Sequence, residues 1–253
     1  MPPLSQHQSN RTVKMLLIGA SGSGKTGAIA ALAEAGYNIY WADFDNGLDP
    51  VAKRMSPKAI ARVSYQSYQD PLKFVAGRAI PAKAVPEAFT QHLKDLDKWP
   101  DDGKPLTART TRDVFVLDSL THQGTAALRY VLAINGRAGQ QPQLQEWGQA
   151  MNMQEGVLQA LYADVIKCHV IVCSHVQFIE QDDKTVIGLP SALGNKLPAK
   201  VPTYFNTMLI TKATGSGVNA KRFIRTIPEP GVMTKISAKG LPNELPIETG
   251  LAT

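Results

Sequence analysis

Cysteine is nearly absent from the 253-residue chain. Its two residues, Cys168 and Cys173, cannot build a disulfide scaffold and point to a reduced, cytoplasmic setting. Long apolar runs are missing too, none approaching the roughly 18 residues that a membrane-spanning helix needs, so no membrane partner is expected. The segment MPPLSQHQSNRTVK has no apolar stretch behind its charges, and no secretory signal is expected from it. There is no internal repeat, no low-complexity tract and no convincing linker. With 43% hydrophobic and 19% charged residues, the composition is that of an ordinary globular protein, and the length suits one large domain.

The charge that is present falls unevenly. Residues 1–183 hold 18 basic and 18 acidic side chains, whereas residues 184–253 hold nine basic and three acidic, which accounts for the whole net charge of +6. A basic third attracts polyanions such as nucleic acid, although a merely solvated basic surface would show the same excess.

Residues 1–12, polar with two prolines, read as a flexible N-terminal tail. VKMLLIG (Val13–Gly19) predicts a buried strand that runs through ASGSGKT into a helix stopping at Gly36, with a second strand at Tyr37–Asp45. Strand, glycine loop, helix and strand make the unit that builds parallel sheets. Further strands are expected at Ala61–Tyr68, Asp113–Leu120 and His169–Val176. An amphipathic helix is expected over Val85–Trp99, with Phe89, Leu93 and Leu96 on its apolar face. Helices should also follow residue 121 and fill Leu144–Lys167, residues 177–200 read as an irregular loop, and strands joined by turns lead to a proline-rich tail. The fold class is therefore α/β, a mostly parallel sheet flanked by helices with antiparallel strands at the C-terminal end.

Gly19, Ala20, Ser21, Gly22, Ser23, Gly24, Lys25 and Thr26 satisfy G-x-x-x-x-G-K-[ST] in full. Such a loop turns successive backbone N–H groups around phosphate oxygens, and the helix behind it points its positive end at the anion. Lys25 would reach the β and γ phosphates of ATP, and the Thr26 hydroxyl would ligate Mg²⁺. VFVLD ends in Asp118, whose carboxylate suits the second Mg²⁺ position. Hydrolysis also needs a group to deprotonate the attacking water. Asp45, at the tip of the strand after the phosphate-loop helix, is the candidate; a turn-forming role within DFDNGLDP is the competing one. Asp43 lies two residues earlier on the same strand face.

Other missing motifs narrow the class. A GTPase would carry Asn-Lys-x-Asp, whereas Asn195-Lys196 is followed by Leu197-Pro198. No arginine-rich lid of a small-molecule kinase is present. An AAA-plus enzyme would append a helical small domain, whereas the chain after residue 201 reads as strands.

These residues resemble the RecA-like core P-loop ATPases from about Val13 to Pro228, which implies a core over residues 13–228 and, over residues 229–253, an extension packed on the core or on a neighbouring subunit. WADFDNG is similar to that family's strand ending in Asp-x-Glu-Gly, with Asp45 in place of the Glu general base. VFVLDSL resembles the Walker B strand, with Ser119 after the Asp. IVCSHVQ looks like the strand ending in Thr-Asn-Gln, with His175 in place of the Gln that senses the γ phosphate and moves a DNA-binding loop. The short length and the Asp-x-Asp and Ser-His variants look most like the phage ATP-binding proteins, including Sak-type single-strand annealing proteins.

The resemblance implies two DNA-binding loops, at about residues 135–147 and 177–200, offering Arg137, Lys184, Lys196 and Lys200 for sequence-independent, salt-sensitive contacts with single-stranded DNA. Aromatic residues near them are few, Trp147 and Phe178. It also implies a homo-oligomer, filament or ring, in which a basic residue among Lys212, Lys221, Arg222 and Arg225 acts in trans on the neighbour's γ phosphate. Cys168-His169 and Cys173-x-His175 do not form a zinc site, because alternate residues of one strand face opposite ways. His7, His92 and His122 show no partner pattern and read as surface residues. The function expected is a DNA-stimulated ATPase promoting annealing or strand exchange, helped by a single-strand-binding protein. A nucleotide or small-molecule kinase and a non-hydrolysing, ATP-clamped assembly protein are the alternatives.

Overall fold

A computed structural model of the chain describes residues 11–215, 220–236, 238 and 240–252. His7 and most of the expected N-terminal tail lie outside the described residues, as does Lys239.

In chain order the elements are β1 (Lys14–Ile18), α1 (Lys25–Glu34), β2 (Asn38–Asp43), α2 (Asp49–Ala52), α3 (Pro57–Ile60), β3 (Val63–Ser67), β4 (Leu72–Val75), β5 (Arg78–Pro81), α4 (Ala88–Asp97), β6 (Asp113–Asp118), α5 (Leu120–Ile134), α6 (Leu144–Tyr162), β7 (His169–Ser174), β8 (Val176–Glu180), β9 (Val186–Pro190), α7 (Leu197–Lys200), β10 (Thr207–Thr214), β11 (Lys221–Arg225) and β12 (Glu244–Pro246). Eight strands form one sheet in the order β12-β11-β10-β1-β7-β6-β2-β3. From β10 to β3 all neighbours are parallel, and β11 and β12 are added antiparallel at the edge.

The central strands are apolar throughout because both faces of the sheet are covered. Side chains alternate between two cores. Leu16, Ile18, Phe115, Leu117, Val170 and Val172 pack with Phe89 of α4, Ala127 and Val131 of α5 and Leu158 of α6. Leu17, Trp41, Val114, Val116 and Ile171 pack on the other face with Ile29 and Leu32 of α1. Leu245 and Ile247, from the expected C-terminal extension, join that second core. Lys235 and Met208 exchange backbone hydrogen bonds, a further tie between that segment and β10.

Residues 177–200 are not the irregular loop expected. β8 and β9 make an antiparallel hairpin whose turn is closed by Gln181 N–H donating to the Thr185 carbonyl at 2.7 Å. The signal was two β-branched runs, VQFIE and VIGLP, around polar QDDKT. A second hairpin, β4–β5, turns on Ala76 and Gly77, both at positive φ, as two-residue hairpin loops require. The face of α4 also differs from expectation: Leu93 is exposed, and the helix buries Phe89, His92 and Asp95. Asp95 accepts hydrogen bonds from Tyr68 Oη at 2.8 Å and Gln91 Nε2 at 2.7 Å, so the carboxylate is satisfied inside. His92 is fully buried rather than on the surface, among the rings of Phe44, Tyr68 and Phe115.

Candidate active site

The phosphate loop leaves the C-terminal end of β1, and α1 begins at Lys25. Gly24, at φ 104, is the N-cap, a conformation that glycine adopts at little cost. Gly19 is required for space: a Cβ there would collide with the Thr211 side chain and carbonyl and with Ser23 Oγ. Ser23 Oγ and Thr211 Oγ1, 2.6 Å apart, join the loop to β10. No acidic residue lies in the first turn of α1, which leaves its positive end available for an anion.

Lys25 is almost wholly buried, and its Nζ donates to the carbonyls of Gly19 at 2.9 Å and Ala20 at 3.1 Å. The amine is thus parked on its own loop. Thr26 Oγ1 donates to Asp118 Oδ2 at 3.1 Å, bringing together the two residues expected to hold Mg²⁺. A hydroxyl and a carboxylate are the hard oxygen donors that this cation takes, and the buried carboxylate has need of a cation. Burial, aided by the charges of Asp45 and Asp43, raises the Asp118 pKa to about 6, against the smaller effects of Thr26 and Lys25.

Asp43 and Asp45 have different jobs. Asp43 Oδ1 accepts the backbone N–H groups of Asp45 at 3.0 Å and Asn46 at 2.8 Å, so it builds the turn that presents Asp45. Asp45 Oδ1 accepts from the Ser119 hydroxyl at 2.7 Å and lies 2.6 Å from His122 Nδ1, while its Oδ2 lies 3.5 Å from His175 Nε2. Burial works to raise the Asp45 pKa, but His175, the Ser119 hydroxyl and attraction to His122 together outweigh it and hold the value at about 2. This carboxylate is ionised at neutral pH.

His122 had been expected to lack a partner; it stands in the first turn of α5, directly beside Asp45. Ser119 ties the two, capping α5 through His122 N–H while its hydroxyl reaches Asp45. The Asp118–Ser119 peptide is cis.

β7 lies between β1 and β6, so His175 emerges between the phosphate loop and Asp118. Its backbone N–H donates to Thr121 Oγ1 at 3.2 Å, and its carbonyl accepts Ser191 N–H at 2.8 Å. Thr121 Oγ1 donates in turn to the Ser191 carbonyl at 3.2 Å. Both ends of the β8–β9 hairpin are therefore tied beside His175.

Phosphate loop, Asp45, Asp118, His122 and His175 share one cleft of about 1090 Å³, whose far wall is Lys221, Arg222, Ile247 and Glu248. Arg222 Nε donates to the Gly22 carbonyl at 2.9 Å, placing this residue on its own phosphate loop. Of the other residues expected to act in trans, Lys212 pairs with Glu229, and Arg225 pairs with Glu229 and Glu244 at 3.0 Å each. Lys221 is exposed at the cleft rim.

The expected DNA contacts are scattered. Arg137 is held between α5 and α6, its Nε 3.0 Å from Glu146 and its Nη2 donating to the Gln141 carbonyl at 2.9 Å. Lys200 pairs with Glu155 at 3.3 Å. Lys184, in the β8–β9 turn, and Lys196, before α7, are exposed and have no ion pair among the described residues.

Sheet order, phosphate loop and the Thr26–Asp118 pair define a P-loop ATPase with a RecA-like core. The family described as "AAA domain" (AAA_24) matches residues 11–238, and the chain belongs to it. The C-terminal region is built of strands, as expected, with no helix among the described residues after Tyr204. No curated protein matches the chain. Similar solved structures include a KaiC-like protein from Pyrococcus horikoshii, at 10% identity and TM-score 0.43, covering 92% of this chain and 84% of that one. The flagellar accessory protein FlaH from Methanocaldococcus jannaschii shares 10% identity at TM-score 0.46, covering 98% and 92%. A type III secretion system ATPase of pathogenic bacteria shares 12% identity at TM-score 0.43, covering 78% of this chain and 51% of its own. No helix among the described residues is long and apolar enough to cross a membrane.

Proposed function

We propose that the chain is a DNA-stimulated ATPase of the cytoplasm that holds single-stranded DNA in a nucleotide-dependent homo-oligomer and promotes annealing or strand exchange, like the phage Sak-type proteins it resembles. ATP is the substrate, bound on Gly19–Thr26, and the Lys25 amine leaves the Gly19 and Ala20 carbonyls for the phosphates. Thr26 and Asp118 would hold Mg²⁺, which supplies charge neutralisation at the phosphates. Asp45, oriented by Ser119 and His122, accepts the proton of the attacking water. His175 faces the end of the triphosphate and can donate to it.

What favours this over simple nucleotide storage is the tie between His175 and the β8–β9 hairpin through Thr121 and Ser191. A change at the phosphate reaches the hairpin that carries exposed Lys184 and Phe178. DNA would take the exposed Lys184 and Lys196 first, with Arg137 and Lys200 exchanging Glu146 and Glu155 for phosphate. A single-strand-binding protein would supply the substrate strand. Exposed Lys221 at the cleft rim is the residue best placed to meet a neighbouring subunit.

The test is ATP turnover with and without single-stranded DNA. Wild-type turnover is expected to rise with DNA and to lose that stimulation steeply with salt. Lys25→Ala should lose nucleotide affinity, whereas Asp45→Asn should bind ATP and turn over about 10²–10⁴-fold more slowly. Transfer of phosphate to an added acceptor, indifferent to DNA, would make the chain a kinase. Tight ATP binding without phosphate release in either condition would make it a clamp.

A further inference from the structure

We infer that Asp45, His122 and His175 form a binding site for a divalent transition-metal cation, distinct from the Mg²⁺ position at Thr26 and Asp118. One ligand atom from each of the three residues lies within 4.8 Å of the other two. They come from three separate elements: the turn after β2, the first turn of α5 and the end of β7. Metal–nitrogen bonds of about 2.1 Å put tetrahedral ligands about 3.4 Å apart, so closing this set around an ion needs movements of about 1 Å. Two imidazole nitrogens with one carboxylate suit Zn²⁺, Co²⁺ or Ni²⁺, whereas Mg²⁺ takes oxygen donors and keeps its waters.

The surroundings are those of a ligand set. Ser119 donates to Asp45, the outer hydrogen bond that fixes a coordinating carboxylate. Asp43 and Asp118 add negative charge nearby. Both imidazoles open on the cleft, with side-chain exposures of 51% for His122 and 24% for His175, leaving room for water on the ion.

On the hydrolytic reading above, on which this consequence rests, an ion here occupies the lone pairs with which Asp45 would take a proton. Occupancy therefore stops turnover and leaves nucleotide binding intact. A transition metal would act as an inhibitor at a site next to the one Mg²⁺ serves.

Cobalt(II) titrated into the full chain, in excess Mg²⁺ and without nucleotide, reports the site through its visible absorption. One equivalent is expected to bind, and His122→Ala and His122→Gln should each weaken it at least about tenfold, with circular dichroism confirming their fold. Absence of a cobalt spectrum, unchanged affinity in both variants, or displacement by Mg²⁺ would overturn the site. Binding of a fluorescent ATP analogue is measured separately. Normal nucleotide binding without cobalt binding sinks the metal site alone; cobalt binding without nucleotide binding sinks the ATPase reading and leaves the metal site standing.

Discussion

Replacing Asp118 with asparagine should make the nucleotide-free protein more stable at neutral and alkaline pH. Burial raises this carboxyl from 3.8 to about 6. Below the unfolded value both states are protonated and nothing is lost; above the folded value the ionised group costs the folded state the full difference. That gap of about two units, at about 1.4 kcal/mol each, is a cost of about 3 kcal/mol that builds between about pH 4 and pH 6. An amide keeps the shape and an acceptor for Thr26 without the charge. At about pH 8 the variant should gain up to about 3 kcal/mol, or about 5–10 °C in Tm for a chain of this size, and the gain should vanish near about pH 4. Asp45 contributes in the opposite sense: its folded value of about 2 lies below 3.8, so its stabilisation is present above the unfolded value and is lost as pH falls through the folded one. The two carboxyls thus act in different pH windows. Differential scanning fluorimetry across pH, with a chelator present, separates them. A lower Tm for Asp118→Asn at alkaline pH, or a gain that persists in acid, would refute the claim that burial strains this carboxylate.

Two substitutions probe the core below the site. His92 is fully buried, its two ring nitrogens meet no partner among the described residues, and burial lowers its pKa to about 3. His92→Leu should stabilise by about 1–2 kcal/mol at neutral pH and by more below about pH 6.5, where the unfolded wild-type ring takes up a proton that the folded one refuses; urea midpoints at two pH values check both. Gln154 bridges α5 to the segment after β9, donating to the Leu120 carbonyl at 2.7 Å and accepting Leu193 N–H at 2.9 Å. Gln154→Leu strands the buried Leu193 N–H, while the Leu120 carbonyl keeps its partner within α5, and should cost about 1–3 kcal/mol in urea unfolding.

The parts of the site legible in the sequence were those written locally. Gly19–Thr26 is eight contiguous residues, and Asp118 closes an apolar run that reads as a strand by itself. Asp45 followed from its place just beyond the apolar strand that becomes β2. His122 did not, because its partner lies 77 residues away and nothing in SLTHQ singles it out. Its one signal was position: a strand ending in Asp-Ser with a helix starting at once must put the third helical residue near the strand tips. Arg222 and Ile247 were equally invisible as cleft walls, since the antiparallel return of β11 and β12 brings them over the loop. His92 misled in the other direction, and Asp95 beside it is buried too. Polar residues normally mark the solvent face, and only the Tyr68 hydroxyl and the ring cluster explain why here they mark the core.

The placement of β1 also governs how a ribosome-bound chain behaves. KMLLI is translated well before its two neighbours, β7 and β10. At about 5–20 residues per second, roughly 10–30 s of synthesis separate this apolar segment from its first strand partner. During that interval the phosphate loop has no platform, and the apolar segment stands open to a chaperone scanning the nascent polypeptide.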